Sequence, residues 1–571
     1  MEFKYTLDFS KKNQKYLLIN LDINLYSNQD EIEIIMPVWS PGSYLIREYS
    51  RYLDLFEVKN NITYQKVNKN TWKIFTKNLN QVSLSYRLYC NEFTVRTNFI
   101  DDNHALIVGP ATFLIPKNKE LCKRYELKIN LPNDWKNIST SLHQLGENRF
   151  YSDDTDYFLD CPIEVGNYDT YYFEVLEKKH KLSIIGPKIY DEKRIISDIE
   201  KIVYTTSKIM KGIPYDNYNF ILHLTSDSKG GLEHNNSCVL HFSRWDLNNQ
   251  SKYKSKFLSL ISHEYFHLWN AKRIKPLDLV NIDYSKENYT NLLWVVEGFT
   301  SYFDDLILKR AGIYSNSEYL EVLSNVFEIY LKNKGRFYES LEDSSFYTWI
   351  KYYRKHENTN NQSISYYVKG AIFAWALDME ILNSSNCKNS IEDLILMLWN
   401  DYLENNKFGY TREIINKYAS KLANKDLSDM FIQFLDAKEE IDYNRYLNYA
   451  GLELIVNDSN SPSINCDLKF DVNKVLITTV IDKGAGYYAG LCNGDEIIAI
   501  NGYRVTNNNF YSIINSFNVG DKINILVSRD ERLKELELEL NKDDFSKIRI
   551  LDNPNKNQKQ LNIYNNWLKT I

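Results

Sequence analysis

A multidomain α+β protein is the fold class expected from three features of these 571 residues. The first third alternates apolar and polar residues with period two. The middle repeats apolar residues at helical spacing, and the end returns to short strands. The length is too great for one core, so two to four domains are expected. Hydrophobic residues at 43% and charged residues at 25% are ordinary for a globular protein.

Residues 1–175 are expected to form an antiparallel β-sandwich-like domain. Ile19, Leu21, Ile23 and Leu25 alternate with polar neighbours, as do Val82, Leu84, Tyr86 and Leu88 and then Tyr125, Leu127, Ile129 and Leu131. Such alternation leaves one face buried and one wet. Residues 176–447 read as a mostly helical domain with helices near 193–211, 253–270, 291–310, 317–334, 366–383, 389–405 and 411–422. Phe257, Leu258, Ile261 and Tyr265 make an apolar stripe on the second of these, and Gly312 is a C-cap for the third. Two strands, 219–224 and 237–242, interrupt the helices. Residues 448–545 return to strands at 475–480, 496–500, 523–527 and 536–540, with a short helix near 508–517. Residues 546–571 are polar and Asn-rich and read as a tail with one terminal helix.

The net charge of −6 offers no basic field for nucleic acid or anionic lipid. No run approaches 18 uninterrupted apolar residues, and the start lacks a basic stretch followed by an apolar one, so neither a membrane span nor a secretory leader is expected. Seven scattered Cys without a C-x-x-C pair point to reduced thiols and a cytoplasmic location.

Residues 263–267 read His-Glu-Tyr-Phe-His, and Glu297 follows thirty residues later. Positions four apart share a helix face, so His263 and His267 can address one cation. A catalytic zinc takes three protein ligands and keeps a position open for water, and Glu297 on the next long helix supplies the third. Zinc lowers the pKa of such a water toward about 7, and Glu264 is placed to take its proton. With nine His in the chain, composition alone yields about 0.01 such strings. Tyr367, in Ser365-Tyr-Tyr-Val-Lys-Gly370, could stabilise an oxyanion; in a chain with 44 Tyr, packing is the more frequent role. Glu233, in Lys229-Gly-Gly-Leu-Glu-His234, could hold a free α-amine while Gly230 and Gly231 admit a substrate strand. By these residues alone a turn with a solvated Glu is the favoured reading. Asp304 and Asp305, two turns past Glu297, include a candidate acceptor for a ligand His, but a solvated or structural role is the favoured reading, and nothing marks His234 as a ligand.

His263-Glu-Tyr-Phe-His-Leu-Trp-Asn-Ala-Lys-Arg-Ile-Lys-Pro276 resembles the signature of the glycyl aminopeptidase family, zinc metallopeptidases related to aminopeptidase N and to thermolysin. Met36-Pro-Val-Trp-Ser-Pro-Gly-Ser-Tyr-Leu-Ile-Arg47, Val95-Arg96 and Asp160-Cys-Pro-Ile-Glu-Val-Gly166 are similar to the family's N-terminal β domain, and 297–305 to its third-ligand segment. The resemblance implies a thermolysin-like catalytic domain, Glu233 as amine anchor in the exopeptidase loop, and Tyr367 as oxyanion tyrosine. Ala489 to Val505 is similar to a PDZ domain, which implies a PDZ-like C-terminal module. The glycine-free stretch Cys466–Val472, with its added Asp, argues against capture of C-terminal carboxylates there.

The function expected is a zinc aminopeptidase with one Zn²⁺ per chain. It acts on peptides with a free N-terminus, and the family implies a preference for Gly or Ala. Two alternatives stay open, a zinc endopeptidase and an inert PDZ-containing binding protein. The oligomeric state, including a homo-oligomer, and the PDZ ligand are not legible.

Overall fold

The computed structural model describes residues 1–27, 29–457, 460–543 and 547–571. The expected domain boundary at 545 lies outside the described residues. The period-two segments pair as their patterns require. Tyr16–Asn24 lies between Glu2–Asp8 and Gln81–Tyr89, with Phe3 opposite Ile23 and Leu21 opposite Leu84. A seven-stranded sheet and two four-stranded sheets enclose the N-terminal core. One pairing departs from the antiparallel expectation: Glu2–Asp8 runs parallel to Arg124–Asn130.

A five-stranded mixed sheet follows, in the order Asp169–Val175, Lys178–Ile185, Asn217–Thr225, Ser237–Ser243, Gly230–His234. Asp169–Val175, which the sequence places at the end of the first domain, pairs here along its whole length. The central strand is buried on both faces. Phe220, Leu222 and Leu224 join the helical core, while Ile221 joins the N-terminal core, so the run is apolar at successive positions. The sheet is thus the partition between two cores. Gly230–His234 is its free edge and is a regular strand, not a turn.

The helices fall close to their expected positions, including Glu192–Ile209, Asn316–Lys332, Tyr366–Ser384, Ile391–Glu404 and Arg412–Ala423. The helix carrying His263 is shorter than expected and ends at Phe266. Beyond it the chain turns back, with Ala271 at φ 137°. The Asn270 amide there donates to the carbonyls of Val295 and Val296 at 2.8 and 3.2 Å.

At the C-terminal end, Leu452–Asn457 pairs antiparallel with Lys547–Asp552, and together they bracket a small β unit with its own core. Asn361 ties this unit to the helical domain, donating to Val480 O at 2.7 Å and accepting from Asp482 N at 2.9 Å. The last residues are not a loose tail. The helix Gln558–Trp567 starts with an Asn557–Gln560 capping box and buries Trp567 in the core of the helical domain. Its indole donates to Tyr302 Oη at 2.9 Å. Polar composition concealed this docking because one buried Trp outweighs several exposed Asn.

Candidate metal centre and cleft

Two helices and one strand edge build the site. Ser259–Phe266 presents His263 and Glu264, and His267 follows at its C-terminal end. Glu297 lies in a π-helical turn, Trp294–Phe299, that opens the helix continuing through Thr300–Arg310. The ring nitrogens His263 Nε2 and His267 Nε2 are 3.0 Å apart. Glu297 Oε2 is 3.4 Å from the first and 3.1 Å from the second. Zinc bonds of about 2.0–2.1 Å in a tetrahedron set ligand atoms about 3.3 Å apart, so this trio fits one cation. Glu297 Oε2 is buried without a hydrogen-bond partner, as a ligand atom awaiting an ion would be.

Each imidazole is held by its other nitrogen. His263 Nδ1 lies 2.9 Å from Asp304 Oδ2, and His267 Nδ1 lies 2.8 Å from Asn270 O. Both acceptors fix the Nδ1–H tautomer and leave Nε2 free for metal. Asp304 is therefore not solvated; it is buried and orients the His263 ring. Its position seven residues past Glu297 puts it on the same helix face, which was the signal available in the sequence. Asp305 instead accepts from Tyr314 Oη at 3.2 Å. Burial pushes His263 down, but Asp304 and Glu297 pull it well up; a cation competes with that proton for the same nitrogen.

Close backbone contacts set the remaining geometry. A Cβ on Gly231 would lie 2.0 Å from Glu264 Oε1, so the edge strand packs directly on this carboxylate. Burial raises the Glu264 carboxyl, and His263 and His267 partly offset it. Alternation along the strand puts Glu233 on the same face as Gly231. Oxygens of Glu233 and Glu264 and a ring nitrogen of His267 all lie within 4.8 Å of one another. On its far side Glu233 meets the loop after Trp39, where a Cβ on Gly42 would be 2.4 Å from Glu233 Oε1. Around it Trp39, Pro41, Tyr44, Ala271 and Val296 line a cavity of about 50 Å³.

Tyr367 enters through a second glycine contact. A Cβ on Gly298 would sit 2.5 Å from Gly370 Cα, so the helices bearing Glu297 and Tyr367 cross backbone to backbone. Each glycine costs about 1 kcal/mol of helix propensity, which this crossing explains. Ser365 caps the second helix, placing Tyr367 in its first turn. Its ring stacks 6.2 Å from that of His263, whereas the buried Tyr366 accepts from Thr348 Oγ1 at 3.0 Å.

Asp160, from the N-terminal domain, knots these parts together. It takes Lys272 Nζ at 2.6 Å and the Asn235 amide at 2.7 Å, and faces His234 Nδ1 at 3.2 Å. His234 thus belongs to this knot and not to the metal trio. Burial pushes Asp160 up, but Lys272 and His234 hold it well below the usual carboxylate range. All seven cysteines are unpaired, and no helix among the described residues is long and apolar enough to cross a membrane.

Comparison with known proteins agrees with this architecture. Residues 4–167 match the peptidase M61 N-terminal domain and residues 256–373 the M61 glycyl aminopeptidase domain. The structure is similar to an aminopeptidase N family protein from Idiomarina loihiensis, at 26% identity and TM-score 0.91, over 99% of this chain and 100% of that one. It is distantly similar to the M1 zinc metallopeptidase from Deinococcus radiodurans, at 8% identity and TM-score 0.47, over 77% of this chain and 94% of that one. No curated protein matches the sequence.

Proposed function

We propose, from the premise that this chain carries both domains of the M61 glycyl aminopeptidase family and is a metallopeptidase, that it is a zinc aminopeptidase removing small N-terminal residues. His263, His267 and Glu297 would hold the zinc, whose Lewis acidity polarises a carbonyl and lowers the pKa of water toward about 7. Glu264 takes a proton from the attacking water and passes it to the departing amine. Tyr367 donates its O–H to the oxygen that gains charge in the tetrahedral intermediate. Glu233 anchors the substrate's α-ammonium.

One observation carries the exopeptidase reading: Glu233 stands within 4.8 Å of Glu264 and His267, and the Gly42 loop closes the cleft behind it. A peptide chain cannot extend past that carboxylate, so the bond cut is the first. The cavity of about 50 Å³ beside Glu233 is small, and this supports Gly and Ala.

The β unit inside the Leu452–Asn457 and Lys547–Asp552 pair is read as PDZ-like and structural. Its edge strand Cys466–Asp471 places Phe470 against Phe510 and Tyr511 of the short helix Phe510–Ile514. Those rings occupy the groove in which an added peptide strand would lie.

The test pairs a glycyl fluorogenic amide with its N-acetyl twin, with and without chelator. The free amine should be hydrolysed in a chelator-sensitive way, and acetylation should slow it at least about 100-fold. Equal cleavage of the twins would return the endopeptidase reading. Glu264→Gln should keep zinc and lose turnover; an inert binding protein would show no turnover in the parent chain.

A further inference from the structure

Two arginines of the N-terminal domain reach the cleft edge without a direct salt-bridge partner among the described residues. Arg96 Nη2 donates to Gly231 O at 3.0 Å, on the edge strand beside Glu264. Its Nη1 lies 3.9 Å from where a Cβ of Gly230 would stand. Arg47 Nη2 donates to Ser43 Oγ at 2.9 Å, next to the Gly42 that backs Glu233. Tyr49, two residues beyond Arg47, donates to the Arg96 carbonyl at 2.8 Å and ties the two segments together.

Among the described residues neither guanidinium forms an ion pair, and the Nε of each is buried without a partner. A guanidinium offers five N–H donors, and here each spends one Nη2 donor on a neighbouring oxygen while its Nε has no partner. Burial disfavours the Arg96 cation, but Tyr353, Tyr367, Glu264 and Glu233 more than offset it. Burial pushes Arg47 down, and the Arg96 charge adds to that. A substrate carboxylate would give both guanidinium groups the direct charged acceptor they lack.

We propose that Arg47 and Arg96 form a receptor for a carboxylate on the departing side of the peptide, which makes short peptides with a free C terminus the preferred substrates. The inference rests on the aminopeptidase reading, because Glu233 sets where the peptide begins. With its amine at Glu233 and its first bond over Glu264, an extended substrate runs antiparallel to Gly230–His234. Three residues separate Glu233 from Gly230, about 10 Å at the strand rise. That span places the third residue of the substrate beside Arg96. The carboxylate is the C terminus of a tripeptide or the side chain of an acidic third residue. A fork-shaped guanidinium suits either, and two of them grip one carboxylate from both sides.

The experiment uses the zinc-loaded full chain and two substrate pairs. The first is Gly-Ala-Ala as free acid and as amide. The second is Gly-Ala-Asp-Ala-Ala amide and the same peptide with Asn for Asp. The free acid, the Asp peptide or both should be cleaved with kcat/KM about 10–100-fold above the partner, mainly through KM. Preference in the first pair alone assigns the arginines to the terminus, and in the second alone to a side chain. Arg47→Gln and Arg96→Gln should each pull the preferred ratio toward one, and Arg47→Lys should retain part of it. Should a variant not fold, the loss of the wild-type ratio in high salt decides instead. Equal cleavage within both pairs, with chelator-sensitive release of glycine, overturns the receptor and leaves the aminopeptidase standing. Absence of glycine release from every free-amine peptide overturns the aminopeptidase reading itself.

Discussion

His263, His267 and Glu297 resemble His104, Glu164 and His223 in residue type and in bringing their ligand-type atoms within 4.8 Å of one another, and differ in what those atoms are already bonded to. In the first trio each imidazole spends Nδ1 on a fixed acceptor, so both Nε2 atoms and a partnerless Glu297 oxygen converge. In the second, both Glu164 oxygens are taken, by His104 Nδ1 at 2.8 Å and by His223 Nε2 at 3.0 Å. That network spends both carboxylate oxygens, though His223 Nδ1 stays buried without a partner, and it joins the N-terminal domain to the central sheet, since His223 lies on Asn217–Thr225. Ligand-type residues within a few ångströms of each other do not make a metal site. Unspent, convergent lone pairs do.

Breaking each trio should therefore fail in different ways. Glu297→Ala should lose the zinc and reduce turnover at least about 10³-fold, while Glu164→Ala should keep one zinc per chain by metal analysis. Loss of metal in the Glu164 variant would erase the distinction. The Glu164 variant should instead lose about 3–5 kcal/mol of stability in urea unfolding, because two buried imidazoles lose their acceptor. Asp304→Ala should weaken zinc about 10–100-fold in a chelator competition and leave the fold intact. The smallest effect is a pH slope. Burial pushes His241, beside His223, down to about 2, so it is neutral when folded. Unfolded, it takes a proton below about 6.5, so the unfolded state binds more protons and stability falls as pH drops below that value. His104 has the opposite sign: burial lowers it, Glu164 raises it above its ordinary value, and its contribution is lost as pH rises. His241→Gln should flatten the acid-side slope by up to about 1.4 kcal/mol per pH unit between pH 6.5 and 4.

The motif helix and the convergence of Glu297 and Glu264 on it were legible because spacing along a helix translates directly into direction in space. Tyr367 and Glu233 needed the family resemblance, since one Tyr among 44 and one Glu after two glycines carry little information alone. Asp304 was visible and underrated. Arg47, Arg96 and the Gly42 contact were out of reach, because they arrive from strands and loops more than 130 residues before the edge they touch or flank.

Local periodicity determined the elements, their order and the pairing of the two histidines, since a helix or strand repeats every few residues and writes that repeat into the chain. Tertiary structure alone decided that Gly230–His234 is a free edge laid on Glu264, and that the polar last helix is anchored through Trp567. It also decided that two N-terminal arginines stand unpaired above the cleft. Those contacts join residues with no fixed spacing, so only packing of the whole chain brings them together.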